Sequence, residues 1–296
     1  MDIRPVSCLP PARVKGVVTL VLWFVGAVMT SPAADGPRAG RVVAPGVRQV
    51  GTIESRFITE SSGIVASRQF PGTFWTHNDK GSRPMLFAIT REGKSLAEIP
   101  IQGAKFADWE DIALDGEHRL YLGDIGNNNS RRKDVEVYRV AEPDPKSPPG
   151  ALEPSRKWVL TYPVAPFDAE ALFVYGESGY VVSKVTNDRH ASIYRFPLTE
   201  AGGTVALQRV TTLPISSPVT AADLSADGQR LAILSKAGPF VFRVDGDIAR
   251  AGVARPWHTR FKHEATEACC FVPEGLLVTA ESREIFLFED AAFRAP

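Results

Sequence analysis

The sequence predicts an all-β protein, a five-bladed β-propeller whose last blade is closed by the N-terminal strand. Three observations carry this prediction. A repeat of about fifty residues occurs five times, every copy holds β-rich segments separated by turn residues, and a spare strand precedes the first copy. Each copy opens with a polar or small triplet followed by apolar residues: Glu60-Ser61-Ser62-Gly63-Ile64, Asp108-Trp109-Glu110-Asp111-Ile112, Asp168-Ala169-Glu170-Ala171-Leu172, Thr220-Ala221-Ala222-Asp223-Leu224 and Ala265-Thr266-Glu267-Ala268-Cys269.

The spacing of the copies gives the size of the repeating unit. The third positions of the triplets are separated by 48, 60, 52 and 45 residues, which is the length of one four-stranded blade. After the fifth copy the chain ends without a fourth strand, and residues 50–57 form a strand ahead of the first copy. Pairing that strand with the last three leaves no open sheet edge, so we expect the ring to close there.

The N-terminal residues are typical of a secretory signal. Arg4, Arg13 and Lys15 precede a mostly apolar run of 14 residues from Gly16 to Met29, and small residues follow at 31–34. An uncleaved anchor is the alternative, although the run is shorter than the roughly twenty residues of a membrane span. We therefore predict a signal peptide at 1–34 and an exported protein, periplasmic or secreted, without stable membrane insertion after cleavage.

The rest of the chain and its charge composition lead to further expectations. We expect a disordered linker at 35–46, the propeller at 47–290, a tail at 291–296, and a monomer by default. With 34 acidic and 34 basic residues the formal net charge is zero, which argues against nucleic acid as a partner. Cys269 and Cys270 fall in a predicted inner strand and are expected to be buried thiols; a vicinal disulfide is the alternative.

The triplets place a ring of oxygen-bearing side chains around the central channel. If equivalent positions face one axis, then Ser62, Glu110, Glu170 and Glu267 converge there, while the fourth blade offers Ala222. Converging carboxylates need compensation because an unpaired buried charge costs several kcal/mol. The set suits a hard divalent cation, and calcium accepts such an irregular oxygen cage better than magnesium.

The ring also has an explanation without a metal. Lys184, Lys236, Arg131 or Arg132 could pair with the carboxylates, or raised pKa values could keep some of them neutral.

Loops between the second and third strands of each blade lie on the same face as the ring. They supply candidate catalytic carboxylates at Asp79, Asp124 and Glu281. Candidate ligand-binding residues in the same loops are His77, Asn78, Asn127, Arg131, Lys184 and Lys236. Cations for anionic groups and carboxylates for proton transfer predict a small polar or anionic ligand. Tight β turns are also rich in Asn and Asp, so structural roles are the alternative.

Two family resemblances follow from these motifs. The segments Glu60-Ser61-Ser62-Gly63-Ile64, Trp75-Thr76-His77-Asn78-Asp79, Asp108-Trp109-Glu110-Asp111-Ile112 and Gly123-Asp124-Ile125-Gly126-Asn127 resemble bacterial exported propellers described as WD40-like or phytase-like. The ring order is similar to the calcium-activated nucleotidase (apyrase) family, five-bladed propellers with a central calcium. That resemblance implies calcium at Ser62, Glu110, Glu170 and Glu267; Ala222 departs from its pattern.

Two classes of function remain at this stage. One is a binding module with a central calcium and a polar or anionic ligand on the channel face. The other is a calcium-dependent hydrolase of phosphate esters or anhydrides. Fold alone does not choose between them.

Overall fold

The computed structural model describes residues 40–80, 83–185, 190–263 and 265–293. The signal peptide expected at 1–34 and the first part of the linker lie outside the described residues. The described chain is all-β, with five sheets arranged as a five-bladed propeller and two short 3₁₀ helices at Ile248–Gly252 and Asp290–Ala292. Within the described ranges, neither helix has the length or the apolar character needed to cross a bilayer.

Each blade is an antiparallel sheet whose first strand lies innermost, beside the channel. Blade 5 is completed from the N-terminus by β1 (Arg41–Ala44) and β2 (Val47–Thr52). Blade 1 contains β3 (Ser61–Ala66), β4 (Phe74–Asn78), β5 (Met85–Ile89) and β6 (Ser95–Pro100). Blade 2 contains β7 (Trp109–Leu114), β8 (Arg119–Asp124), β9 (Asp134–Ala141) and β10 (Arg156–Thr161).

The remaining blades follow the same plan. Blade 3 contains β11 (Ala169–Tyr175), β12 (Ser178–Ser183), β13 (Ser192–Pro197) and β15 (Gln208–Thr212). Blade 4 contains β16 (Val219–Leu224), β17 (Arg230–Ser235), β18 (Phe240–Arg243) and β19 (Trp257–His258). Blade 5 is made of β20 (Thr266–Val272), β21 (Gly275–Ala280) and β22 (Glu284–Glu289), followed outward by β2 and β1.

Closure by the N-terminal strand is confirmed. Strand β2 pairs antiparallel with β22, Val47 opposite Phe288, and so gives blade 5 its fourth strand. Strand β1 folds back on β2 as a fifth, and it lies inside the segment expected to be a linker. Its exposed and half-buried residues cover the outer edge of the closing strand.

One connection leaves its own blade. The segment between β13 and β15 forms β14 (Gly203–Ala206), which pairs parallel with β10 of blade 2, Trp158 opposite Gly203. Blade 2 thereby acquires a fifth strand that belongs, by chain connection, to blade 3. Blades 2 and 3 are joined by main-chain hydrogen bonds as well as by side-chain packing.

Apolar side chains between neighbouring blades form the core. Trp75 and Trp109 are fully buried between blades 1 and 2, and Trp158 is fully buried between blades 2 and 3. The Trp109 indole N–H finds a partner in this buried setting, since it donates to the Lys105 carbonyl at 2.7 Å. Both cysteines of β20 are buried free thiols.

Two buried aspartates join the inner strands around the channel. The Asp111 carboxylate accepts hydrogen bonds from the backbone N–H groups of Ile112 (2.9 Å), Leu172 (2.9 Å) and Ala222 (3.2 Å), in blades 2, 3 and 4. The Asp223 carboxylate accepts one from Phe271 of blade 5 at 2.7 Å. Burial raises the pKa of both groups, that of Asp223 to about 7.

The raised pKa of Asp223 predicts a pH dependence of stability. The folded protein retains a proton at Asp223 that the unfolded chain releases near its ordinary pKa of 3.8. The free energy of unfolding should therefore fall as the pH rises from about 4 to 7, by at most about 1.4 kcal/mol per pH unit from this group. Asp223→Asn should flatten that slope in urea unfolding measured across the range. The control is Asp227→Asn, because the pKa of Asp227 is lowered and its titration ends below this window; an unchanged slope in Asp223→Asn would contradict the account.

Candidate functional site

A β-bulge occurs at the start of every inner strand, near the mouth of the channel. Register breaks occur between residues 61 and 63, 109 and 111, 169 and 171, 219 and 221, and 266 and 268. The bulged residue is therefore Ser62, Glu110, Glu170, Thr220 and Glu267 in blades 1 to 5. A bulge leaves one residue unpaired and turns its side chain away from the regular alternation.

The fourth ring position is Thr220 and not Ala222, which corrects the alignment made from sequence. Ala222 lies two residues further along, where its backbone N–H donates to Asp111. Thr220 is buried, and its hydroxyl oxygen has no hydrogen-bond partner among the described residues. All five ring positions therefore carry a side-chain oxygen.

The ring opens into a polar cavity of about 200 Å³, here called the central cavity. All five blades contribute to it, through the starts of inner strands and the loops between second and third strands, as the sequence predicted. Its lining residues are Glu60, Ser62, Asp79, Lys80, Asp108, Glu110, Asn128, Glu170, Lys184, Lys236, Glu267 and Glu281. Seven of these are acids and three are lysines, so anions outnumber cations when all are ionised.

Lysines from the neighbouring loops pair with two of the ring carboxylates. Lys184 Nζ lies 2.6 Å from Glu170 Oε1, and Lys236 forms an ion pair with Glu267. This is the compensation that the sequence analysis held as the alternative to a metal. Ser62 donates its hydroxyl hydrogen bond to the Glu110 carbonyl at 2.9 Å, so it also holds blade 1 against blade 2.

Glu110 is the exception within the ring. Its side chain is 7% exposed and lines the central cavity, yet no described residue donates a hydrogen bond to its carboxylate or forms an ion pair with it. Glu110, Asp168 and Glu170 each bring one oxygen within 4.8 Å of the other two. The only described lysine contacting this acidic trio is Lys184, 3.8 Å from Asp168 Oδ2.

Burial and mutual repulsion favour protonation of these acids when no cation is present. Burial, followed by the charge of Glu170, raises the pKa of Glu110 well above its usual range. Burial raises the pKa of Glu170 to about 8 despite Lys184, and it raises the pKa of Glu267 despite Lys236. Without a cation, protons are therefore expected on carboxylate oxygens that a bound cation would contact.

The loop between β8 and β9 packs against the acidic trio and is itself braced. Arg132 donates to Asp124 Oδ1 and to the Gly126 carbonyl, both at 2.8 Å. The backbone N–H of Asn127 donates to Asp168 Oδ1 at 2.6 Å. Gly126 sits where a Cβ atom would lie 2.2 Å from Glu110 Oε1 and 2.4 Å from an Asp108 oxygen. A residue without a side chain is required there for the carboxylates to keep their places.

A second acidic group lies at the blade 1 edge of the central cavity. Lys80 Nζ is 2.8 Å from Asp79 Oδ2 and 3.6 Å from Glu60 Oε2. The hydrogen bond with Asp79, together with burial, raises the pKa of Glu60 to about 7, while Asp79 keeps a lowered pKa. One proton is therefore shared by these two carboxyl groups near neutral pH. The Asn78 side chain accepts from the Glu60 backbone N–H at 3.1 Å and so fixes this segment.

Several of the predicted rim residues are structural. His77 is fully buried against Trp109, with Nδ1 bonded to the Asn78 carbonyl at 3.0 Å, and burial lowers its pKa. Asp124 is also fully buried, bound to Arg132. Asn127 donates from its side chain to Tyr162 and to the Arg132 carbonyl. None of these three lines the central cavity: His77 and Asp124 are buried within β4 and at the end of β8, and the Asn127 side chain is held inside the β8–β9 loop.

The other predicted residues divide into two groups. Asp79, Glu281, Lys184 and Lys236 line the central cavity as expected, together with the predicted metal ligands Ser62, Glu110, Glu170 and Glu267. Arg131 is exposed and Asn78 supports the blade 1 loop, so neither contributes a lining side chain.

Sequence reasoning missed Glu60, Asp108 and Asp168, the first residues of three triplets. The signal was present, because in the triplets of blades 1, 2 and 3 a carboxylate stands two residues before the third position. In blades 2 and 3 this gives the repeated pattern Asp-x-Glu, at Asp108 and Glu110 and at Asp168 and Glu170.

A larger cavity of about 690 Å³ opens on the opposite face, among the turns that join first to second strands. Three of its four acids pair with arginines, since Arg119 lies 2.6 Å from Asp115 and 2.8 Å from Glu117, and Arg139 lies 2.8 Å from Glu200. We therefore place the candidate site in the smaller central cavity, where buried carboxylates lack such partners.

The contacts of Arg132 within the β8–β9 loop predict that substitutions of Arg131 and Arg132 differ in their effect on the free energy of unfolding. Arg132→Met leaves the buried Asp124 carboxylate uncompensated and should lower the free energy of unfolding by about 3 kcal/mol. Arg131→Met removes an exposed side chain and should change it by less than about 0.5 kcal/mol. Urea unfolding of both variants checks this prediction; equal losses would show that the brace does not hold the loop.

Comparisons with known proteins identify no family. No family model matches the chain, and no curated protein matches its sequence. These comparisons therefore give no support to the resemblances to the WD40-like or phytase-like group and to the apyrase family.

Solved structures with a similar chain path are distant in sequence. A nidogen/laminin complex is 12% identical, with a TM-score of 0.45 over 79% of this chain and 82% of that chain. A putative oxidoreductase (glucose dehydrogenase) from Thermus thermophilus is 11% identical, with a TM-score of 0.44 over 81% and 98%. A gluconolactonase from Xanthomonas campestris is 13% identical, with a TM-score of 0.44 over 81% and 88%. The fold assignment rests on the strand order, and the activities named belong to those proteins.

Proposed function

We propose that this protein is an exported β-propeller that binds a divalent cation, calcium, in the central cavity and a small polar or anionic ligand above it. The observation that carries the proposal is the acidic trio. Three carboxylates lie within 4.8 Å of one another around a lining side chain, Glu110, that has no described partner.

The donor set fits the proposed cation. Calcium takes six to eight oxygen ligands in flexible geometry, and the ring offers carboxylates together with the hydroxyls of Ser62 and Thr220. The hydroxyl oxygen of Thr220 is buried without a hydrogen-bond partner among the described residues, and such an oxygen is available to contact a cation. Calcium would offset the repulsion among these groups and leave coordination positions for a ligand oxygen.

The charges of the central cavity indicate how the ligand would be held. When all groups are ionised the acids outnumber the lysines, so a bound cation would offset the excess negative charge that faces an anionic ligand. Lys184 and Lys236 would then contact its anionic groups, and Glu281 and Asn128 would accept or donate hydrogen bonds to hydroxyls. Ligand binding is therefore expected to depend on the cation.

Calcium should raise the melting temperature of the wild-type protein relative to the protein in chelator. A cation that binds only the folded state stabilises it by about 2.7 kcal/mol at one hundred times its dissociation constant. Glu170→Gln removes one charged oxygen from the trio and should abolish most of that shift, because a neutral amide is a poorer calcium ligand. Thermal unfolding with calcium and with chelator measures both effects.

Glu274→Gln is the matched control, since Glu274 pairs with Arg91 far from the central cavity. Its calcium shift should equal that of the wild type. Coincident wild-type melting curves in calcium and chelator would sink the cation proposal.

Hydrolysis of a phosphate ester or anhydride is the second candidate function, and the pair of Glu60 and Asp79 favours it. With one proton between them, Asp79 would accept a proton from the attacking water and Glu60 would donate one to the leaving oxygen. A pKa of about 7 for Glu60 suits a general acid near neutral pH.

An activity assay separates this candidate from simple binding. With calcium, the wild type should hydrolyse p-nitrophenyl phosphate or a nucleoside diphosphate, and Glu60→Gln should lower kcat by about 10². The Glu274→Gln control should retain full activity. Calcium binding without turnover of either compound would leave the binding function and remove the hydrolase.

A further inference from the structure

Four buried or half-buried carboxylates come from the adjacent blades 2 and 3. Asp108 and Glu110 come from blade 2, and Asp168 and Glu170 come from blade 3, each pair from an Asp-x-Glu segment. Elsewhere in the ring, Glu267 is bound by Lys236, and Asp79 and Glu60 are bound by Lys80. Lys80 belongs to blade 1 and Lys236 to blade 4, whereas the one described lysine that contacts the acids of blades 2 and 3 is Lys184, which pairs with Asp168 and Glu170.

The carboxylates of two of these acids lie close to the backbone of Gly126. The point where its Cβ would stand lies 2.2 Å from Glu110 Oε1 and 2.4 Å from Asp108 Oδ2, so both oxygens converge beside the Gly126 backbone. The main chain at Gly126 is held by its own N–H, which donates to the Asp108 carbonyl at 3.1 Å, and by Arg132 on its carbonyl. Its φ lies outside the left-handed region, so the lack of a side chain serves the two carboxylates and not a turn.

Few hydrogen-bond donors among the described residues contact the Asp108 carboxylate. Its closest side-chain donor is the Asn128 amide at 3.5 Å, and burial raises its pKa, with further contributions from Asp168 and Asp79. Its neighbour Glu110 is an unpartnered carboxylate that is nine-tenths buried and faces the central cavity.

From this arrangement we infer that the cation lies off the axis, between blades 2 and 3, with Asp108 as a ligand beside Glu110, Asp168 and Glu170, and with Gly126 keeping that place open. The inference rests on the proposed cation binding and assigns its position. It excludes Glu267 from the ligand set, because Glu267 belongs to blade 5 and is bound there by Lys236 of blade 4.

Calcium titration by isothermal calorimetry tests the position, with calcium alone as the probe. The full-length wild type should bind one calcium. Asp108→Asn should weaken binding at least about tenfold, and Gly126→Ala should do the same by pushing both carboxylates from their positions. Glu267→Gln should bind within about threefold of the wild type, since it lies outside the ligand set.

Gly116→Ala is the matched control for the glycine substitution. Gly116 also has an ordinary φ, and an added Cβ there meets no atom within 4 Å. This variant should bind calcium as the wild type does, and circular dichroism verifies that each variant is folded. Asp108→Asn decides the question on its own if Gly126→Ala does not fold.

The outcomes separate the two proposals. If the wild type binds calcium while Glu267→Gln loses it and Asp108→Asn retains it, the cation is axial and the inference is overturned, while cation binding stands. If the wild type binds no calcium, the proposed function itself fails and takes the off-axis position with it.

Discussion

The β-bulge that opens each inner strand is the constraint on which the site depends. Regular alternation would send the bulged side chain into the packing between blades, where a glutamate would have no water and no partner. The bulged residues are Ser62, Glu110, Glu170, Thr220 and Glu267, and all of them except Thr220 line the central cavity. Everything proposed for the central cavity follows from this one local departure from strand geometry, repeated five times.

The concentration of carboxylates at one mouth has a cost that the chain offsets in three ways. Lysines bind Glu170, Glu267 and Asp79. Backbone N–H groups bind Asp111 deeper in the channel. Raised pKa values favour the neutral form of what is left, above all Glu110. The carboxylates with the least compensation are those that the proposed cation would contact. The candidate site is therefore placed among them.

The architecture could be predicted from the sequence because the repeat and the spare N-terminal strand are features of the chain itself. The position of the fourth ring residue could not, because Thr220-Ala221-Ala222-Asp223 resembles the other triplets when shifted by two residues. The bulge register decides between Thr220 and Ala222, and it depends on hydrogen bonds that the sequence does not display. The rim residues were harder still: His77 in β4, Asp124 at the end of β8 and Asn127 in the β8–β9 loop were expected to face a ligand but are buried. Asp124 and Asn127 are internal partners of Arg132, which a polar loop needs to hold its shape.

Strand β14 links the two blades that carry the proposed cation site. It crosses from blade 3 and pairs in parallel with β10, so it connects the two blades that carry the Asp-x-Glu segments. Their separation is then fixed by main-chain hydrogen bonds at the outside of the propeller, far from the carboxylates. If the proposed cation lies between these blades, a gap of fixed width would favour ions of matching radius, and strand β14 would then contribute to the choice of ion.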